Sequence, residues 1–181
     1  MRKIVYFFML LVSQVSYGQE IIDGSFDAIK DAHNTNLIVD WSKVIIENLT
    51  VEEWLEKRNN ERPEYDAKIE LEEELKPLLV QNMLPQCNEL TYKVNFALVR
   101  HQDTKYTLKV TPLYLLPTRG SLCEYEFIDS NSGASLLKFS IKESGGLYVS
   151  KRALWGGTFK AQASILGIFL KGELKKARRK K

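Results

Sequence analysis

Residues 152–181, at the close of the chain, read RALWGGTFKAQASILGIFLKGELKKARRKK. Two glycines precede an apolar run, and lysines and arginines crowd its end. Three readings compete: a phosphate cradle, a membrane-seeking segment, or a helix that lies on the rest of the protein. Phe159, Ala163, Leu166, Leu170 and Leu174 fall at i, i+4, i+7, i+11 and i+15, the spacing of one helical face. A phosphate-binding loop needs G-x-x-x-x-G-K-S/T behind a strand, and WGGTFKAQ has neither that spacing nor G-x-G-x-x-G. The apolar core ILGIFL is far shorter than the ~20 residues that span a bilayer. The stretch therefore reads as a helical lid, and the fold follows from asking what it covers.

A sheet is the answer the preceding residues give. From Thr91 the period is two, with Tyr92, Val94, Phe96 and Leu98 alternating against Lys93, Asn95 and Ala97. YTLKVTPLYLL (106–116) repeats the alternation, and Pro112, which cannot donate to a ladder, belongs at an edge or a bulge. SLCEYEFID (121–129) and ASLLKFSIK (134–142) follow the turn signals PTRG and SNSG. Close spacing predicts an antiparallel meander of four strands. Gly145, Gly146, Gly156 and Gly157 punctuate the loop expected after it, and with Trp155 they mark a candidate interaction loop, 145–157.

Upstream, NLIVDWSKVII (36–46) is a further strand candidate. Thr50 and Glu53 complete a capping box, which predicts a short helix from Val51. The capping role accounts for Thr50 without the glycosylation sequon Asn48-Leu49-Thr50. Residues 61–84 predict a longer helix with Pro63 in its first turn. Leu71, Leu75, Leu78 and Leu79 share one stripe, Glu70, Glu72, Glu73 and Glu74 lie largely off it, and Pro77 kinks or restarts the helix. The expected fold is α+β: a mainly antiparallel sheet of four to five strands, packed on one face by two longer helices, plus a short helix. Residues 19–35 read as an N-terminal arm or loop, 36–176 as a single domain and 177–181 as a basic tail.

MRKIVYFFMLLVSQVSYGQE opens the chain with Arg2 and Lys3, an apolar run from Ile4 to Val12, and small residues Ser16 and Gly18 before Gln19. That is the pattern of a cleavable signal peptide over residues 1–18, so the protein is expected to be exported to the periplasm or envelope. The remaining body, 19–170, is mildly acidic. Residues 171–181 hold Lys171, Lys175, Lys176, Arg178, Arg179, Lys180 and Lys181 against Glu173 alone. An acidic body argues against a nucleic-acid-binding surface spread over the fold, and the strand aromatics read as core. Lys175, Lys176, Arg178, Arg179, Lys180 and Lys181 are the residues that would meet a polyanion or lipid headgroups; a solvated tail is the expected state.

Cys87 and Cys123 survive in a compartment that permits disulfides. They form either a bridge, contributing about 3–4 kcal/mol on a chain-entropy estimate, or two buried thiols. Two histidines, His33 and His101, give no zinc-binding spacing. No signature flanks a cysteine to make it a nucleophile, and neither G-x-S-x-G nor H-E-x-x-H occurs. The chain is expected to be non-enzymatic, with no cofactor and no metal.

The chain resembles a group of small exported proteins of unknown function from Gram-negative bacteria. The resemblance rests on IVDWSKVIIENLTVEEW, the acidic helix after Pro63, YTLKVTPLYLLPTRG running into CEYEFID, and the glycine pair of GGTFKAQASILG. More loosely, it is similar to the TolB-type amino-terminal domain. The continuation TFKAQAS, with Phe159, Lys160 and Gln162 among the alanines, departs from the group's run of small residues. The resemblance implies a sheet backed by helices, an exported location and a role in contact with an envelope protein. Carriage of a small apolar or anionic ligand between sheet and helix is the alternative expectation.

Overall fold

A computed structural model describes residues 18–117, 120–144 and 150–180, so the expected signal segment falls almost wholly outside the described residues. Among these residues, seven strands form one mixed sheet: β1 (Gly18–Gly24), β2 (Asn34–Val39), β3 (Ile45–Ile46), β4 (Ala97–Val99), β5 (Tyr106–Leu115), β6 (Gly120–Asp129) and β7 (Ser135–Ser144). The order is β1-β7-β6-β5-β2-β4, and β3 pairs with β5. The helices are α1 (Val51–Glu61), α2 (Ala67–Ile69), α3 (Pro77–Thr91) and α4 (Lys151–Ala177). α2 runs through a π-helical stretch, Glu70–Leu75, into α3.

The closing helix is a lid, as its spacing requires. Phe159, Ala163, Leu166, Leu170 and Leu174 are all fully buried. Phe169 of α4 meets Phe139 of β7 and Phe26 edge-on, with ring centroids 5.2 and 5.3 Å apart. α3 lies beside α4 and covers the β4 end, where Asn88 exchanges two hydrogen bonds with the backbone of Leu98. Close approach of α3 and α4 is set at Gly167, where a Cβ would stand 2.9 Å from Leu90 Cβ. The opposite face of the sheet is charged, with Lys109 paired to Glu126 at 2.5 Å and Lys138 to Glu124 at 2.6 Å.

Several expectations are corrected. The meander has three antiparallel strands, β5, β6 and β7, rather than four, because β4 pairs parallel with β2 and β2 parallel with β5. Residues 92–94 form a 3-10 turn, not strand, since the Thr91 hydroxyl sits between the Cys87 and Phe96 carbonyls and Asn95 reverses the chain at φ 50°. Tyr92 accordingly points into solvent, 66% exposed. The arm expected over 19–35 is instead β1, a 3-10 turn over Phe26–Ile29 and the start of β2. Pro63 lies in the turn between α1 and α2, where Asp66 is the cap that starts the second helix.

Other expectations hold in detail. The capping box forms, Glu53 N donating to Thr50 Oγ1 at 3.2 Å and Thr50 N to Glu53 Oε2 at 2.9 Å. Pro77 stands at the start of α3, with Lys76 N bonding back to Leu71 O across the π turn. Pro112 sits at a bulge in β5, between the residues that pair with β2 and those that pair with β3, so no ladder bond there needs its missing donor.

Candidate interaction edge

β1 closes one side of the sheet, and all seven of its residues are exposed. Its inner side pairs with β7, Gln19 opposite Ile141 and Ile21 opposite Phe139; among the described residues its outer side has no neighbouring strand. A register shift between Ile21 and Asp23 makes a bulge, so Glu20 stands opposite Ser140 and Asp23 opposite Lys138, two residues apart on β7. One extra residue therefore brings both carboxylates to the same face. Ile21 and Ile22 are 48% and 49% exposed.

Gly24 fixes where this strand ends. Its φ is +73°, and a Cβ there would lie 2.1 Å from Leu136 O, so only glycine fits. Beside the strand, on the helix side, a groove of about 210 Å³ runs between Ile21, Phe26 and the end of α4 at Ala177. Its rim charges are already paired, Lys176 with Glu173 at 2.6 Å and Lys180 with Asp27 at 3.3 Å.

Of the basic residues expected to meet a polyanion or lipid headgroups, Lys176 and Lys180 thus stand beside acids of the fold. Arg178 caps α4 and donates to the carbonyls of Lys30, Ala32 and Val94, which ties the end of the chain to its beginning. Lys175 and Arg179 are exposed, and Lys181 lies outside the described residues. The loop expected over 145–157 is also revised. Trp155, Gly156 and Gly157 are inside α4, whose first turn is capped by Ser150, Ala153 N donating to its hydroxyl at 3.2 Å. Trp155 is buried against Trp41, Trp54 and Phe159. Gly145 and Gly146 lie outside the described residues.

Cys87 on α3 and Cys123 on β6 are free and buried, so the structure holds two thiols instead of a bridge. Burial pushes each thiol up to about 12, which keeps both protonated and inert at neutral pH. His33 bonds to Asn95 O at 2.9 Å, well apart in sequence from either cysteine. The space between sheet and α4, where a carried ligand was envisaged, is occupied by side chains. At its centre Gln162 is fully buried: Nε2 donates to Ser121 Oγ at 2.8 Å and Ile141 O at 3.1 Å, and Oε1 accepts from the Tyr125 hydroxyl at 3.0 Å. Among the described residues no cluster of three metal-ligating side chains forms, and no helix is long and apolar enough to cross a membrane.

A second charged cluster clasps the N-terminal end of α4. Glu47, at φ 56°, and Asn48, at φ 65°, turn the chain from β3 toward α1. The nearly buried Glu47 carboxylate accepts from Lys57 at 3.4 Å and from Lys151. The cluster leaves no room for a water-sized group between Glu47, Trp54, Arg58 and Lys151.

Sequence reading missed the edge residues Glu20, Ile21, Ile22 and Asp23. Their signal was a short apolar pair between acids, bounded by Gly18 and Gly24.

A scan of protein-family models gives no match, and neither does a search of curated proteins. Among solved structures, the chain is similar to a PelC dodecamer from Paraburkholderia phytofirmans, at 10% identity and a TM-score of 0.43, covering 81% of this chain and 96% of that one. It is also similar to a DUF330-family protein from Xanthomonas campestris, at 9% identity and a TM-score of 0.37, covering 53% of this chain and 58% of that one. Neither likeness bears on the looser resemblance to a TolB-type domain. Likeness this distant leaves the question of role to the geometry above.

Proposed function

We propose that this protein is an exported, non-catalytic module of the bacterial envelope that works by binding another protein. The observation that carries the reading is β1: exposed edge strand of which residues 19–24 remain after the expected cleavage, two of them half-exposed isoleucines, with nothing paired on the outer side among the described residues. An exposed sheet edge is a template for a further strand, and the bulge and the two acids of β1 restrict which strand can pair with it. The sequence pattern of residues 1–18 supplies the export half of the reading. A photo-crosslinking residue in place of Ile22, tested in cells, should yield a discrete adduct in the envelope fraction. Absence of any adduct from Ile22 and from a panel of exposed positions around the fold would remove the support.

A further inference from the structure

The chemistry of the edge strand specifies what kind of strand completes it. A row of charges crosses the open face of the sheet in register: Lys109 opposite Glu126, Glu126 opposite Lys138, Lys138 opposite Asp23. The signs alternate across four strands and stop at the acid on β1. In the adjacent row Glu20 stands at the same edge, opposite Ser140. Among the described residues neither Glu20 nor Asp23 has an ion pair; the Asp23 carboxylate accepts only the Gly24 amide, at 2.8 Å. The pattern ends on two carboxylates because the bulge aims both to one face.

A second copy of this chain fits poorly here. Antiparallel pairing of two β1 strands that sets Ile21 against Ile22 also sets Glu20 against Asp23, twice. Like charges directly opposite one another destabilise a ladder. A partner strand with a cation opposite each acid continues the alternation instead. Its intervening residue would face the helix side, next to Ile21 and the groove at Ala177, which takes an apolar side chain.

We infer that β1 accepts, by strand addition, an extended segment of a partner protein with a basic–apolar–basic triplet, the two cations meeting Glu20 and Asp23. This rests on the protein-binding reading above. Main-chain hydrogen bonds would supply affinity and the two acids the register.

The probe is a peptide of about nine residues with a central Lys-Val-Lys in a Ser/Thr background, against the same peptide with Glu-Val-Glu. With the full mature chain, the basic peptide should bind and slow amide exchange within residues 19–23. The double variant Glu20→Lys/Asp23→Lys, which touches no core residue, should lose about tenfold or more in affinity for the basic peptide and gain it for the acidic one. Binding without protection of 19–23, equal binding of both peptides, or preference unmoved by the double variant overturns the inference. So does concentration-dependent self-association that protects 19–23, which would make a second copy the occupant. Envelope adducts from Ile22 that persist in the double variant, or adducts found only at other positions of the panel, sink this inference alone; absence of adducts from Ile22 and from the whole panel in the unaltered protein sinks the binding role itself.

Discussion

The Gln162 carboxamide accepts the phenolic proton of Tyr125 at 3.0 Å, with both side chains sealed from solvent between α4 and the sheet. Burial holds the Tyr125 hydroxyl protonated, its pKa well above the ordinary value. The same carboxamide reaches Ser121 and Ile141, so one polar side chain pins the lid to two strands. Buried networks of this kind are costly to leave half-satisfied. Replacing Gln162 with Leu should destabilise by about 2–4 kcal/mol, because the Tyr125 hydroxyl and two acceptors lose their partner. Tyr125→Phe alone should cost about 1 kcal/mol, and much less in the Gln162→Leu background. Urea unfolding of the four proteins checks the coupling.

Glycine has opposite roles at two positions on α4. At Gly167 a Cβ meets Leu90 at 2.9 Å and Cys87 Cα at 3.3 Å, whereas at Gly172 nothing lies within 4 Å. Gly167→Ala should therefore force α3 and α4 apart and cost about 1–3 kcal/mol despite better helix propensity. Gly172→Ala should stabilise by about 0.5–1 kcal/mol. Thermal melting of the two variants gives the signs directly.

Arg58 and Glu70 form a bidentate pair, at 2.7 and 2.8 Å, in which both side chains are mostly removed from water. Among the described residues, Glu70→Ala leaves the guanidinium with Glu61 alone, 3.5 Å away and half-exposed, and should cost about 3 kcal/mol. Replacing both partners, Arg58→Met with Glu70→Leu, should recover most of that loss. If the double variant is no better than Glu70→Ala, the penalty comes from lost attraction rather than a stranded charge. Denaturant midpoints distinguish the two.

Acid should loosen the β5 end through Asp31. Its carboxylate accepts from Lys105 at 2.7 Å and Tyr106 at 2.5 Å, and these bonds, Lys105 first, lower its pKa from 3.8 to about 2. A depressed carboxylate contributes stability that is complete above the unfolded value and lost as pH falls through the folded one. The window is therefore pH 4 to 2. Asp31→Asn should be less stable than the unaltered protein at pH 5, by at most about 1 kcal/mol because the pair is exposed, with the gap shrinking toward pH 2. Chemical denaturation across that range tests it.

How much of this the sequence disclosed depended on burial. The lid was legible because its five stripe residues keep helical spacing and every one reaches the core. Strand β1 was not, since an edge exposed on both faces has no apolar period to display. Residues 92–98 mimic strand alternation although a helix end, a turn and a three-residue strand share them, and period alone cannot separate these. Gly156 and Gly157 looked like loop because glycine is a poor helix former, but the Ser150 cap and the buried Trp155 outweigh that preference. The charge row ending at Asp23 joins residues more than a hundred positions apart, which only strand register reveals.

The placement of α4 has a consequence for biosynthesis. Residues 151–177 follow every strand in sequence, so the apolar face that α4 covers stays bare on a nascent chain until that helix is made. A truncated product lacking this helix should be a chaperone client and a seed for inclusion bodies.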